Sequence, residues 1–153
     1  FRQTDFSTEL AQARVALQSA LIHFEAEVEP IDIDPATEQV LALALREATT
    51  NVLRHSQADS CRVRLHNLGD RVRLTVQDNG KGKTDGDGAD RDGLGLTGMR
   101  ERVTALEGEF TVDGQGGTSV TITLPLVQRS GGPTRSDQSP SSLGDPEPCG
   151  AKR

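Results

Sequence analysis

Two neighbouring segments in which apolar and polar residues alternate strictly constrain the fold of this chain most. Cys, Val and Leu alternate with Arg, Arg and His in residues 61–66, and Val, Leu and Val alternate with Arg, Arg, Thr and Gln in residues 71–77. The residues between them, Asn67 to Asp70, are typical of a turn. The pattern therefore predicts paired strands of a sheet that has one covered face and one face in water.

Asp78 continues the series of inward positions in the second of these strands, after residues 72, 74 and 76. We therefore expect its carboxylate to point to the covered face at the end of the strand. A carboxylate turned inward is unfavourable unless it has a hydrogen-bonding or charged partner. Thr118 has the same inward parity at the start of a later alternating segment, which ends at Pro125.

Helical periodicity in three further segments predicts the second layer. The middle helix has the clearest start, because Asp34 is a good N-cap and Pro35 suits the first helical position. Helices are predicted at residues 7–21, 35–56 and 99–106, and further strands at residues 24–28, 110–112 and 118–124. This order predicts a two-layer α/β sandwich, a mixed sheet that three helices cover on one face.

The composition restricts the function classes. The chain has 153 residues, enough for one domain, and a formal net charge of -6, which argues against a non-specific nucleic-acid binder. Cys61 and Cys149 are far apart in sequence, so a structural disulfide is not expected and a reducing compartment is the default. No apolar run approaches the ~18 residues of a membrane span. Residues 127–153 are rich in Ser, Gly, Pro and Asp and are predicted to be disordered.

A long glycine-rich loop, residues 79–98, follows Asp78 and has no core pattern, which is typical of functional or disordered loops. If the ligand is a nucleotide, Asp78 accepts a hydrogen bond from an exocyclic amine. Gly80 and Gly82 then allow the backbone to turn tightly beneath a base. Residues 93–95 lead toward a helix, where unpaired N–H groups favour phosphate.

The segment from Arg46 to His55 places a carboxylate and a carboxamide four residues apart, at Glu47 and Asn51. Four residues of α-helix rise about 6 Å and complete just over one turn, so Glu47 and Asn51 share a face. His55 is expected one step further along that face, with Arg54 beside it. For a nucleotide ligand, Asn51 offers an amide oxygen to Mg²⁺ and Glu47 orients or deprotonates an attacking group. Taken alone, the same pattern is also ordinary helix surface.

Four motifs in this order resemble the GHKL ATPase superfamily, which histidine kinases share with type II topoisomerases, heat-shock chaperones and mismatch-repair proteins. Glu47-x-x-x-Asn51 resembles its N box, and Asp78-x-Gly80-x-Gly82 resembles its first glycine box. Gly93-Leu94-Gly95-Leu96 resembles the second glycine box, and the loop between the two boxes resembles a mobile ATP lid. Gly117-Thr118 resembles the final Gly-Thr element beside the base.

Residues 46–58 and 93–103 resemble, more closely, sensor histidine kinases of the nitrate-sensor/DesK-like class, and the whole resemblance runs from about residue 9 to residue 126. The chain departs from this class at Glu107, where a glycine is usual, and at Lys83, where an apolar residue is frequent. The resemblance implies a Bergerat-type ATP-binding fold. It also implies an enzyme that transfers the γ-phosphoryl group of ATP to a His.

The resemblance implies a role for each motif residue. Glu47 is implied as the catalytic residue and Asn51 as the Mg²⁺ ligand. The implied ATP contacts come from Asn51, Arg54, His55, Asp78, Gly80, Gly82, Gly93, Leu94, Gly95, Leu96 and Thr118.

The implied organisation extends beyond this chain. Residues 1–22 are expected to be a linker helix from a dimerisation domain outside the chain, residues 23–126 the catalytic domain, and residues 127–153 a tail. Because the chain begins with Phe rather than Met, we expect a longer parent protein. The resemblance implies a homodimeric parent protein and a response regulator as its partner. It also implies that this domain lies in the cytoplasm, even if the parent protein is an inner-membrane receptor.

Two other classes stay open on the sequence. An anti-sigma-factor kinase of the same superfamily phosphorylates Ser and shares Glu47, Asn51, Asp78 and the glycines. A binding module without activity is the other alternative, and the intact Glu47 and Asn51 argue against it. The run from Gly98 to Arg102 favours the histidine kinase.

Overall fold

Residues 5–80 and 96–126 are described by the computed structural model. The helices are α1 (Phe6–Ser19), α2 (Pro35–Asn51) and α3 (Leu96–Ala105). The strands are β1 (His23–Val28), β2 (Ser60–Asn67), β3 (Arg71–Asp78), β4 (Glu109–Asp113) and β5 (Thr118–Pro125). In the described part of the chain, no helix is both long and apolar enough to cross a bilayer.

The strands form one mixed sheet in the order β1-β2-β3-β5-β4. β1 runs parallel to β2, and the other neighbouring strands are antiparallel. The predicted hairpin is β2 and β3, and the amide of Leu68 closes its turn by donating to the carbonyl of Arg71 over 2.8 Å. In this register Asp78 lies opposite Cys61 on one side and opposite Thr118 on the other.

The helices and the inward positions of the sheet share one hydrophobic core. The core joins all three helices to the central strands, and its fully buried side chains include Leu17, Leu41, Leu45, Met99, Val103, Val63, Val72, Leu74, Ile122 and Leu124. The predicted inward residues of β2 and β3 are therefore confirmed, as is the two-layer α/β sandwich.

The opposite face of the sheet is polar, and ion pairs cross it from strand to strand. Arg62 Nη2 lies 2.8 Å from Glu25 Oε2, and His66 Nδ1 lies 2.8 Å from Glu29 Oε1. Hydrogen bonds from Arg62 and His66 lower the pKa of Glu25 and Glu29, respectively. Exposed pairs of this kind contribute little to stability. Their exposure shows that this face of the sheet is in contact with water, as the alternation predicts.

The second helix begins as predicted. Asp34 Oδ2 accepts from the amide of Thr37 at 3.2 Å, Asp34 Oδ1 accepts from the Thr37 hydroxyl at 2.7 Å, and Pro35 occupies the first turn. The first of these bonds satisfies a main-chain N–H group that has no partner within the helix.

The same helix ends where predicted, but its last turn differs. Val52–Ser56 is a π-helical turn, and Gln57 after it is left-handed with φ 52°. Hydrogen bonds in a π-helix join residues five apart instead of four. His55 lies in this turn, and the expectation that it continues the face of Glu47 and Asn51 stays a prediction.

α1 packs against α2 and contributes to the same core, through Phe6, Ala13 and Leu17. Glu9 on α1 is only 4% exposed and forms an ion pair with Arg46 of α2. The hydrogen bond that Arg46 donates to the Glu9 carboxylate is the main cause that raises the pKa of Arg46. The expectation that residues 1–22 form a linker helix of another domain stays a prediction.

Val28 is 45% exposed, because it ends an edge strand that has a neighbour on one side only. The start of the last helix differs from the sequence prediction. α3 begins at Leu96 instead of Met99, so the end of the predicted loop is helical. The predictions for Gly82, Lys83, residues 93–95 and the tail 127–153 lie outside the described residues.

α1 and α3 both end with a left-handed residue that is not glycine. Leu21 has φ 63°, and the amide of the residue after it donates to the carbonyl of Leu17 over 2.9 Å. Glu107 has φ 60°, and the amide of Gly108 donates to the carbonyl of Val103 over 2.9 Å. These bonds are those of a Schellman motif, which usually has glycine at the left-handed position. Glu107 therefore adopts the conformation that explains the glycine usual in the kinase class.

Leu21→Gly is expected to raise the free energy of unfolding by about 0.5–1 kcal/mol. A left-handed conformation costs a residue with a Cβ roughly 1–2 kcal/mol, and glycine loses part of that gain through its greater chain entropy. Because the Leu21 side chain is 91% exposed, its removal costs little burial. Urea unfolding followed by circular dichroism measures the change. Leu21→Ala keeps the Cβ and is the control, and a Leu21→Gly variant no more stable than it would contradict the expectation.

Candidate functional site

Asp78 is the buried polar residue at the end of β3, and its predicted inward orientation is confirmed at 5% exposure. Its Oδ1 accepts from the amide of Gly80 at 2.8 Å and from the amide of Thr118 at 3.3 Å. Burial raises the pKa of Asp78, and the two amides oppose this shift only in part. The carboxylate that the alternation turned inward thus has the partners it requires, and both are main-chain groups.

Cys61 lies directly opposite Asp78 on β2 and is 2% exposed. Burial, and next the charge of Asp78, raise the pKa of Cys61 to about 12. The thiol therefore stays neutral at physiological pH.

β5 approaches β3 very closely beside Asp78. Gly117, with φ 123°, precedes Thr118, and a Cβ at Gly117 would overlap the main-chain oxygen of Asp78. Only glycine combines this φ with this approach. The close approach brings the amide of Thr118 to the carboxylate, so the Thr118 contribution visible here is its main chain.

Glu47 and Asn51 lie on α2, and both are half-buried. α2 packs against β3 and β5, the strands that carry Asp78 and Thr118. β2 begins at Ser60, soon after the π-helical turn, and its second residue is opposite Asp78. The end of α2 that carries Asn51 and the end of β3 that carries Asp78 therefore belong to the same end of the domain.

The side chain of Asn51 is not used by the described fold. Its Nδ2 atom is buried and has no hydrogen-bond partner among the described residues. A buried amide without a partner is unfavourable by about 1–3 kcal/mol, which is typical of a group kept for a ligand. The unpaired Nδ2 is a donor and suits an acceptor atom of a ligand, whereas Mg²⁺ would bind the amide oxygen. The metal role that the sequence suggested for Asn51 therefore stays a prediction.

The other predicted site residues are placed only in part. Arg54 is exposed in the π-helical turn that also contains His55. Gly80 contacts Asp78 through its amide, and Leu96 is the first residue of α3. Gly82, Gly93, Leu94 and Gly95 lie outside the described residues, so their part in the site stays a prediction.

A depression of about 260 Å³ borders Asp78, but it opens on the polar face of the sheet. Its lining consists of His23, Glu25, Ser60, Cys61, Arg62, Gln77, Asp78, Asn79 and Gly116. None of these belongs to α2, so the depression does not join Asp78 to Asn51. We therefore place the candidate site on the helix side of the sheet.

Sequence reasoning missed the contacts of two residues beside Asp78, of which it named Gly117 only as part of the Gly-Thr motif. The side chain of Asn79 accepts from the amides of Asp59 and Ser60, and Gly117 permits the close approach of β5. Asn79 stands inside the first glycine-box motif and Gly117 beside Thr118. Neither position revealed its contacts, because these depend on the register between strands.

The sequence profile of the histidine kinase-, DNA gyrase B-, and HSP90-like ATPases matches residues 36–128. The chain belongs to this ATPase family. The resemblance suggested by the four motifs is therefore confirmed. The matched region contains β2, β3, α3, β4 and β5, and all of α2 except its first residue, Pro35.

Curated relatives of this ATPase domain are sensor histidine kinases. The chain is 39% identical over 119 residues to the sensor histidine kinase DesK of Bacillus subtilis, an alignment that covers 76% of this chain and 32% of DesK. It is 36% identical over 101 residues to the sensor histidine kinase YvfT of Bacillus subtilis, covering 64% of this chain and 26% of YvfT. The chain thus spans about a quarter to a third of the length of these relatives.

Solved structures of histidine kinases share the fold. The histidine kinase domain of the Erythrobacter litoralis EL346 blue-light activated histidine kinase matches with a TM-score of 0.67 and 26% identity, over 82% of this chain and 65% of that one. The mycobacterial sensor histidine kinase MprB matches with a TM-score of 0.62 and 23% identity, over 80% of this chain and 95% of that one. The second match supports the fold alone.

Proposed function

We propose that this chain is the ATP-binding catalytic domain of a two-component sensor histidine kinase. In the parent protein it transfers the γ-phosphoryl group of ATP to a His on a dimerisation domain outside this chain. The observation that carries the proposal is the buried Asp78 carboxylate, oriented by the amides of Gly80 and Thr118, in a chain that belongs to the ATPase family.

Asp78 selects the adenine base in this proposal. Both described amides bind Oδ1, and the ionised carboxylate accepts a further hydrogen bond from the exocyclic amine of adenine. A buried carboxylate makes a strong, charge-assisted bond of this kind. Thr118 reaches the base through water, and Gly80 and Gly82 keep the backbone beneath the base free of side chains.

The phosphate end of ATP lies toward α2 and the start of α3. The amide oxygen of Asn51 holds Mg²⁺, which when bound neutralises phosphate charge. Main-chain N–H groups of the Gly93–Leu96 box, which leads into α3, bind phosphate oxygens. Arg54 and His55, in the turn after α2, supply further phosphate contacts.

Glu47 acts on the acceptor. It orients the imidazole of the accepting His and takes its proton as the ring nitrogen bonds to the γ-phosphorus and ADP leaves. Phosphoryl transfer depends chiefly on positioning and charge stabilisation. The residues of α2 therefore need only to hold the acceptor and the phosphate chain in line.

The wider organisation follows the same proposal. Residues 1–22 lead from the dimerisation domain, and residues 23–126 form the catalytic domain. The parent is a homodimer, a response regulator accepts the phosphoryl group on Asp, and this domain lies in the cytoplasm. The Ser-kinase alternative is not favoured, because the curated relatives named above are sensor histidine kinases.

Asn51→Ala is expected to remove the Mg²⁺ dependence of ATP binding. The unsubstituted chain should bind ATP roughly tenfold more weakly when EDTA replaces Mg²⁺. The Asn51→Ala variant should bind ATP with the same weak affinity in both buffers. The fold should lose no stability, because the Asn51 Nδ2 atom has no described partner to lose. Calorimetric titration with ATP measures both affinities.

Thr50→Ala is the matched control on the same helix. Thr50 lines the groove between α1 and α2, away from the proposed site, and its hydroxyl donates to the carbonyl of Arg46. This variant should keep the Mg²⁺ dependence of the parent. An Asn51→Ala variant that also keeps it would show that Asn51 does not hold the metal.

A further inference from the structure

Asn79 makes an unusual contact at the point where the chain leaves β3. Its Oδ1 atom accepts from two successive amides, that of Asp59 at 2.8 Å and that of Ser60 at 2.9 Å. The main-chain N–H group of Asn79 donates to the carbonyl of Ser60 over 3.3 Å. One side chain thus joins the end of β3 to the start of β2 with two hydrogen bonds beyond the strand ladder.

These two hydrogen bonds, here called the Asn79 clamp, hold the residue between Asp78 and Gly80. Asn79 follows Asp78, whose pairing with Cys61 is the last of the β2–β3 register. Gly80 follows Asn79 and donates its amide to Asp78 Oδ1 over 2.8 Å. Because a fixed Asn79 leaves the next peptide little freedom, the clamp sets the position of one of the two donors that hold the carboxylate.

The clamp extends to the edge of the sheet. The carbonyl of Asp59, whose amide is held by Asn79, accepts from the amide of His23 at the start of β1 over 2.8 Å. The ends of β1, β2 and β3 are therefore tied together next to Asp78. The Asn79 side chain itself is exposed, so it acts through these bonds and not through burial.

We propose that Asn79 is a positioning residue of the nucleotide site: by holding the start of β2 it fixes the direction in which the Asp78 carboxylate presents itself to the base. This inference rests on the proposed function. Both clamping bonds need only an acceptor on the side chain, so an aspartate can replace the asparagine, whereas an alanine cannot.

Titration of Asn79→Ala and Asn79→Asp with Mg-ATP and Mg-GTP tests the proposal. Asn79→Ala should bind ATP roughly tenfold more weakly and GTP with nearly unchanged affinity, so that the preference for adenine narrows. Asn79→Asp should bind both nucleotides within about twofold of the parent. Each affinity is calculated with the concentration of folded protein, which circular dichroism measures at the same temperature.

Asn67→Ala is the control for the loss of an asparagine. Asn67 Oδ1 accepts from the amide of Gly69 at 2.9 Å in the turn at the opposite end of β2 and β3. This variant should keep the adenine preference. The proposal is overturned if Asn79→Ala keeps the full preference, if it loses ATP and GTP affinity equally, or if Asn79→Asp does not restore the parent behaviour.

Amide hydrogen exchange separates this inference from the proposed function. The main-chain amide of Gly80 should exchange its hydrogen faster in Asn79→Ala than in Asn67→Ala, with or without nucleotide. If the unsubstituted chain shows no preference for ATP over GTP, the proposed function fails. The exchange rate of the Gly80 amide still decides whether Asn79 orients the Asp78 carboxylate. An unchanged Gly80 rate would overturn the positioning role itself.

Discussion

Asp78→Asn is expected to leave the fold intact and to abolish the preference of the site for adenine. The amide oxygen of an asparagine can accept from Gly80 and Thr118 as Asp78 Oδ1 does now. Its NH₂ group, however, is a donor and would face the donating amine of adenine. Loss of a charge-assisted bond and a donor left unpaired should weaken ATP binding by roughly 10–100-fold.

The pH dependence of this variant has a defined sign. Because burial raises the pKa of Asp78 in the folded state, the folded chain holds that proton more tightly than the unfolded chain. The carboxyl group therefore favours folding at low pH, and this contribution is lost as the pH rises through the raised pKa. Asp78→Asn lacks this ionisation, so its stability relative to the parent should increase over that pH range.

Calorimetric titration and urea unfolding measure both effects. Asp113→Asn is the matched control, since Asp113 Oδ1 also accepts from an amide two residues later, that of Gln115 at 3.1 Å, but is exposed on the edge strand β4, which β5 separates from β3. The control should bind ATP as the parent does. An Asp78→Asn variant that binds ATP with the parent's affinity and preference would remove Asp78 from the site.

Gly117→Ala is expected to destabilise the fold by about 2–4 kcal/mol or to displace the end of β3. The added Cβ would overlap the main-chain oxygen of Asp78 and lie 3.1 Å from the Cα atom of Asn79. The φ of 123° is also unfavourable for alanine. Since backbone is on both sides of the contact, no flexible side chain can move away, and the Asp78 carboxylate should lose its orientation with the strand.

Gly116→Ala separates the overlap from the backbone strain. Gly116 also has a positive φ, 70°, but an added Cβ there meets nothing within 4 Å. We expect this variant to lose only about 1 kcal/mol and to keep ATP binding. Chemical unfolding and ATP titration of the two variants test the difference, and equal losses would show that the close approach to Asp78 has no consequence.

The sequence predicted the orientation of Asp78 because the side-chain period of a strand is fixed at two residues. That rule needs no knowledge of neighbours, and it also predicted that Thr118 faces the same side. The motifs then predicted the ATPase family, which the profile match confirmed. Orientation and family were therefore accessible from local pattern alone.

The contacts around Asp78 were not accessible in this way. The Thr118 amide, the Asn79 clamp and the Gly117 approach all depend on the register among β2, β3 and β5, which arises from tertiary packing. The π-helical turn after Asn51 likewise has no residue signature, because every residue of Val52–Ser56 is compatible with an α-helix.

Transfer of phosphate from ATP to a histidine tests the account most directly. The chain is mixed with the separately produced dimerisation domain of its parent and with γ-labelled Mg-ATP, and the labelled product is analysed for acid and base stability. We expect label on the dimerisation domain as an acid-labile, base-stable phosphoramidate, which Asp78→Asn reduces and Asp113→Asn does not. Label on a Ser, or no transfer by a chain that binds Mg-ATP, would contradict it.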